Sequence, residues 1–175
     1  LLVSYFLCFL FCFCKYKPAY EFGVRLVGSE MCIRDIFNDK IRSKTIGIIY
    51  QQNNLLPDFT ALENVYLANL ALTNNKIKAI EKAKKVTKRM GLSSRENHYP
   101  SELSGGEMQR IAIARALINE PEIIFADEPT GSLDYSTAKE VFKILYNLKN
   151  KNRLIVDATQ HRFFANKADC KLEMI

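Results

Sequence analysis

Three short apolar, β-branched runs constrain this chain more than anything else in it. They are TIGIIY (Thr45–Tyr50), EIIFAD (Glu122–Asp127) and RLIVDA (Arg153–Ala158). Runs so short and so apolar read as strands. The stretches between them carry helical period instead: Ala61–Thr73, Lys76–Met90, Ser104–Ile118 and Ser136–Asn150. In the last of these, Ala138, Val141, Phe142 and Leu145 follow the i, i+3, i+4, i+7 spacing of one helix face. In Ala61–Thr73, Leu62, Val65, Tyr66 and Asn69 share a face. A short helix to Ala168 and a strand at Lys171–Ile175 complete the pattern. Strands joined through helices cannot pair as hairpins, so the spacing predicts βαβ crossovers and a parallel sheet. The fold class is α/β.

Composition excludes more than it identifies. With 175 residues, 48% of them hydrophobic, the chain is long enough to bury a core. Its net charge of +6 is mild and does not by itself call for nucleic acid or an acidic membrane. Much of the surplus gathers in Lys76–Met90, where Lys76, Lys78, Lys82, Lys84, Lys85, Lys88 and Arg89 face a single acid, Glu81. This reads as a solvated outer face around an apolar stripe of Ile77, Ile80 and Val86, or as a surface toward anionic lipid or a partner. No aromatics interleave with the charges, which argues against single-stranded nucleic acid. Gly91 stands where a helix C-terminal glycine belongs. The five cysteines (8, 12, 14, 32 and 170) have neither the count nor the spacing of a zinc site or disulfide framework. Leu1–Cys14 is apolar but shorter than the roughly 20 residues of a spanning helix. Its first basic residue, Lys15, follows the run rather than preceding it, unlike a signal peptide.

Two further runs carry chemistry. In LSGGEMQRIAIARAL, Leu103–Leu117, Ser104 and Glu107 have the spacing of a capping box at a helix start. Gly105 and Gly106 leave backbone N–H groups uncovered at the positive end of the helix dipole, a terminus suited to phosphate. Alone, SGGE is also an ordinary capped helix. In EIIFADEPTGSLD, Glu122–Asp134, an apolar strand ends in Asp127 and Glu128, at the edge of α/β sheets where ligands bind. One carboxylate there can hold Mg²⁺ while the next orients and deprotonates a water. Pro129 ends the strand for want of an N–H. Alone, Asp-Glu-Pro is equally a polar strand exit.

Taken together, these runs resemble the signature and Walker B motifs of ATP-binding cassette (ABC) ATPases. The stretch QQNNLLPDFTALENV, opening at Gln51, resembles the family's Q-loop, and Gly131–Asp134 (GSLD) its D-loop. The resemblance runs from about Asp39 to Ile175. It implies a P-loop NTPase-like fold with a parallel-sheet core and a helical subdomain at about residues 55–118. It implies ATP and Mg²⁺ as cofactors, with Gln51 touching the metal or attacking water, Asp127 holding Mg²⁺ and Glu128 as general base. Ser104, Gly105, Gly106 and Glu107 would form the signature contact to ATP on an opposite subunit, and Asp134 would couple the two sites. The implied partners are a second ATPase subunit, head to tail, and a transmembrane permease, at the cytoplasmic face of the inner membrane. No nucleic-acid partner is expected. The forms ADEPTGSLD and NNLLPDFTALENV are similar to exporters of the lipoprotein-releasing and macrolide-efflux type. ABC proteins of DNA repair or translation carry large insertions, for which the stretch from Gln51 to Leu103 leaves no room. A nucleotide-free module that docks a permease is the remaining alternative.

Two places depart from the family pattern. In LIVDATQHRFF the switch-histidine position falls on Gln160, with His161 one step later, so either His161 takes the role after a local shift or the γ-phosphate contact is weakened. Asp157 puts a charge in a strand expected to be buried. His98, in the ENHYPSELS linker, reads as structural. At the front, GVRLVGSEM (Gly23–Met31) has the two glycines of a phosphate loop but not the lysine, and Glu30 would repel phosphate. Gly28 also lies too close to Gln51. RLVGSEMCIRD is similar to a string found in translated sequencing adapters. Residues 1–35 are therefore expected to be foreign to the domain, and the chain to be a partial cassette, without its first strands and Walker A loop and inactive alone.

Overall fold

The computed structural model describes residues 42–149 and 153–170, all belonging to one unit, Ile41–Ile175. The predictions for residues 1–35 and for a strand at Lys171–Ile175 fall outside the described residues. Among the described residues three strands form the sheet: β1 (Ile46–Ile49), β2 (Ile123–Asp127) and β3 (Leu154–Ala158). They lie in the order β1-β2-β3, all parallel, as their helical connections require. The register pairs Ile49 with Ala126 and Asp127 with Ala158. All three strands therefore run out at one edge.

Each predicted helix is present, and the four longer ones start where a side chain satisfies the first free N–H groups. Helix α1 (Ala61–Thr73) begins at Thr60, whose Oγ1 accepts from the Glu63 amide at 3.3 Å while Glu63 Oε2 accepts from the Thr60 amide at 2.9 Å. It ends at Asn74, with φ of 51° in the left-handed region that asparagine tolerates. Helix α2 (Lys76–Arg89) is capped by Asn75 Oδ1 and closed by Gly91, φ 73°. Helix α3 (Gly105–Leu117) starts at Ser104 and helix α4 (Tyr135–Asn147) at Asp134, followed by a short α5 (Arg162–Ala165).

Helices α1, α2 and α3 pack together, and α3 also lies against β1 and α4. The core joins Ile49, Val65, Ile111, Ile113, Ile118, Ile124 and Val141, all fully buried. At Gly47 a Cβ would stand 2.8 Å from the Ala116 carbonyl oxygen, so only glycine lets β1 approach the end of α3 this closely.

Two expectations about packing are corrected. The buried stripe of α2 is Ala79, Ala83, Val86 and Thr87, while Ile77 is 73% exposed. The small alanines let α2 close on its neighbours, and Ile77 in the first turn points off that stripe. The second correction concerns Asp157. Among the described residues β3 pairs with β2 alone, so Asp157 lies on an edge strand and its side chain is exposed.

Asn64, 1% exposed, holds the entry to α1. Its Oδ1 accepts from the Leu56 amide at 2.7 Å, and its Nδ2 donates to the Leu56, Phe59 and Thr60 carbonyls at 3.0–3.1 Å. Removing it strands buried backbone groups. Asn64→Ala should lower unfolding free energy by about 1–3 kcal/mol in urea titration, with far-UV circular dichroism of the folded state unchanged.

Candidate functional site

The site begins where the three strands end. After β1 come Tyr50 and Gln51, at the end of β2 Asp127 with Glu128 just beyond it, and after β3 Thr159, Gln160 and His161. Parallel strands put all these at the carboxyl edge, where side chains are freed from the ladder and converge. A cleft of about 320 Å³ is lined there by Glu128, Thr130, Gly131, Thr159, Gln160 and His161.

Glu128 is held by its backbone. Its amide donates to Ala158 O at 2.8 Å, its carbonyl accepts from the Gly131 amide at 3.0 Å, and its φ is 40°. A non-glycine residue in the left-handed region is a local strain of the kind found at functional sites. The turn swings the Glu128 carboxylate toward β1, where Gln51 Nε2 donates to Oε2 at 3.5 Å. A Cβ on Gly131 would stand 2.8 Å from that Oε2 and 3.2 Å from Gln51 Nε2. The glycine keeps room for the two side chains to meet.

Asp127 differs from its neighbour. Its Oδ1 is buried without a hydrogen-bond partner among the described residues, and burial raises its pKa. A carboxylate oxygen in this condition fits a hard cation or a cation-bound water. Among the described residues no group of three or more His, Cys, Asp or Glu is placed to hold a metal. A cation here would keep most of its shell from water and phosphate, the usual habit of Mg²⁺. Asp157 pairs in register with Ala126. Crowding by the surrounding chain, then the negative charges of Glu128 and Asp127, push it up to about 6. Its side chain also reaches solvent, which screens those charges.

The signature residues occupy a different place. None of Ser104, Gly105, Gly106 or Glu107 lines the Glu128 cleft. Ser104 and Glu107 make the capping box, with the Ser104 amide donating to Glu107 Oε2 at 2.8 Å and Arg95 Nε bonded to Glu107 Oε1 at 3.0 Å. A Cβ on Gly106 would lie 2.3 Å from Thr137 Cγ2, and one on Gly105 3.5 Å from Leu133 Cδ2. The start of α3 thus rests on the loop and first turn of α4. Asp134 caps α4 through the Thr137 amide at 3.0 Å and the Ser136 hydroxyl, and these bonds hold its carboxyl well below the usual range. His98 takes a backbone role, its carbonyl accepting from the Ala61 amide at 2.8 Å.

Sequence reasoning missed two residues. Thr159 lines the cleft, and its Oγ1 accepts from the His161 amide at 3.1 Å. Arg115 is half-buried and donates to Asn53 O at 2.8 Å and Asn54 O at 2.6 Å. A lone arginine inside the apolar end of α3 was a signal for the latter.

The capping box also sets a pH dependence. The Ser104 amide, and after it the Ser104 hydroxyl and Arg95, lower the Glu107 pKa. A carboxylate depressed in the fold stabilises fully above its unfolded value of about 4.3, and that part is lost as pH falls through the folded value. Glu107→Gln should therefore be less stable than the parent at pH 7, the gap narrowing in thermal melts as pH falls below the ordinary carboxylate range.

Comparison with known proteins agrees with this geometry. The ABC transporter family model matches residues 25–131, beginning inside the segment expected to be foreign and taking in the Gly28-Ser29 pair. The lipoprotein-releasing system ATP-binding protein LolD of Rickettsia bellii is 48% identical over 133 residues, covering 75% of this chain and 60% of that relative. LolD of Cytophaga hutchinsonii is 44% identical over 142 residues, covering 78% and 65%. The dimeric structure of the ATP-binding cassette MJ0796 bound to ADP and Pi superposes with a TM-score of 0.66 at 38% identity, over 75% of this chain and 59% of that one. The chain thus spans about 60% of the length of such relatives. With the family match covering most of the chain and these strand-end residues gathered at one edge, the chain belongs to the ABC transporter ATPase family.

Proposed function

We propose that this chain is part of an ATP-binding subunit that couples ATP hydrolysis to lipoprotein release at the cytoplasmic face of the inner membrane. The observation that carries this reading is the Gln51–Glu128 contact across two strand ends, beside the orphaned Asp127 oxygen. In it, Asp127, with Gln51, would hold Mg²⁺, whose chemistry when bound is to neutralise phosphate charge. Glu128 accepts a proton from the attacking water, and Gln51 orients that carboxylate by donating to it. Gln160 and His161 both line the cleft, and either would meet the γ-phosphate.

The rest of the machinery lies apart from this cleft. Ser104, Gly105 and Gly106 offer a phosphate-binding helix start that Glu128 of the same copy does not share, which supports a head-to-tail dimer clasping ATP between copies. Asp134, capping α4 beside that helix start, would couple the two sites. MJ0796, similar in fold, is dimeric with ADP and Pi. Leu56 and Phe59, 47% and 38% exposed just past the Gln51 loop, supply apolar surface for a permease. Among the described residues no helix is long and apolar enough to cross a membrane, consistent with a peripheral subunit held by such a partner.

The test uses the chain completed upstream of β1 with a G-x-x-x-x-G-K-[ST] loop. That form should hydrolyse ATP, and Glu128→Gln should slow it by about 10²–10⁴-fold while leaving ATP binding intact. An undiminished rate would remove Glu128 from the role of base. The 175-residue chain itself should show no hydrolysis above background, and hydrolysis lost on Glu128→Gln would overturn that expectation.

A further inference from the structure

The loop that aims Gln51 is gripped from one helix at both ends. Before Gln51, Tyr50 O accepts a long 3.4 Å bond from Gln109 Nε2, and Gln109 is 1% exposed. After it, the Arg115 guanidinium bridges the Asn53 and Asn54 carbonyls at 2.8 and 2.6 Å. Asn54 has φ of 47°, so the second carbonyl is turned by a left-handed residue into the reach of the same fork. Bonds from a guanidinium to carbonyls are charge-assisted, and the planar fork fixes direction as well as distance. Between the two grips Gln51 and Gln52 are exposed, and the Gln51 side chain reaches Glu128. The gripping helix is α3, whose other end carries the Ser104-Gly105-Gly106 start.

We infer that Arg115 is a positioning residue that sets where Gln51 lies relative to Glu128, and that it makes the signature helix and the Gln51 loop move as one body. This deepens the proposed ATPase reading and rests on it only for the meaning of the Gln51–Glu128 contact. A rigid α3 then carries any displacement of its phosphate-facing start to the residue that orients the Glu128 carboxylate. The coupling needs no other element, since the bonds run directly from α3 to the loop backbone.

The test is NMR relaxation on the 175-residue chain with Mn²⁺ alone as paramagnetic probe. In the parent, backbone order parameters at residues 51–54 should be near 0.85, and Mn²⁺ should broaden the Asp127 and Glu128 amides and the Gln51 side-chain amide. In Arg115→Gln the order parameters at 51–54 should fall below about 0.6, with α3 unchanged. The Gln51 broadening should be lost and that at Asp127 and Glu128 kept. Arg115→Lys, which keeps the charge and reaches one carbonyl, should give intermediate values, and it decides the matter if the glutamine variant does not fold. Unchanged order at 51–54, or a loss spread evenly along α3, overturns the inference. Mn²⁺ that broadens neither Asp127 nor Glu128 overturns the metal reading instead, and the order parameters still decide the role of Arg115.

Discussion

The parallel pairing of β2 with a strand on each side is the constraint on which the rest of the structure depends. Because β1, β2 and β3 run the same way, their carboxyl ends emerge together, and residues far apart in the chain meet at one edge. Gln51 follows one strand, Glu128 another and His161 the third. A change of direction in any strand would send its residues to the opposite edge. A slip of one residue in β2 would turn Asp127 and Glu128 to opposite faces.

Two carboxylates that are neighbours in sequence take different characters from this edge. Asp127 ends the strand with one oxygen buried and unpartnered, while Glu128 turns through a positive φ into the cleft. The split follows the general logic of paired acids, in which environment rather than residue type assigns the role. It also explains the short turn that follows: Gly131 bonds back to Glu128 and, lacking a Cβ, leaves space for Gln51. Asp157 adds a third negative charge to the neighbourhood, tolerable because its side chain meets water.

Helix α3 links the two chemical ends of the domain. Its start is a capped, glycine-bearing terminus packed on α4, and its far end holds the Gln51 loop through Arg115. Helices α1 and α2 brace it, and Asn64 ties the loop's exit to α1. The lysines of α2 lie around a narrow alanine stripe, because small side chains suffice for close helix contact and the longer ones then stay in solvent.

The order of the described elements and their parallel sheet were legible in the sequence, because apolar period and capping chemistry are local signals. Thr60 with Glu63, Ser104 with Glu107 and the apolar runs of β1 and β2 need no distant partner to be read. It also marked Asp127, Glu128 and the Ser104-Gly105-Gly106 start, since motif spacing is local too. Burial and long-range hydrogen bonds were decided only by tertiary structure. Ile77 is helical by pattern yet exposed, and Asp157 is in a strand yet exposed, because each depends on which neighbours the fold supplies. Arg115 reaches carbonyls more than sixty residues away in the chain. Contacts of that kind come from the packing of α3 against β1, and no stretch of sequence states them.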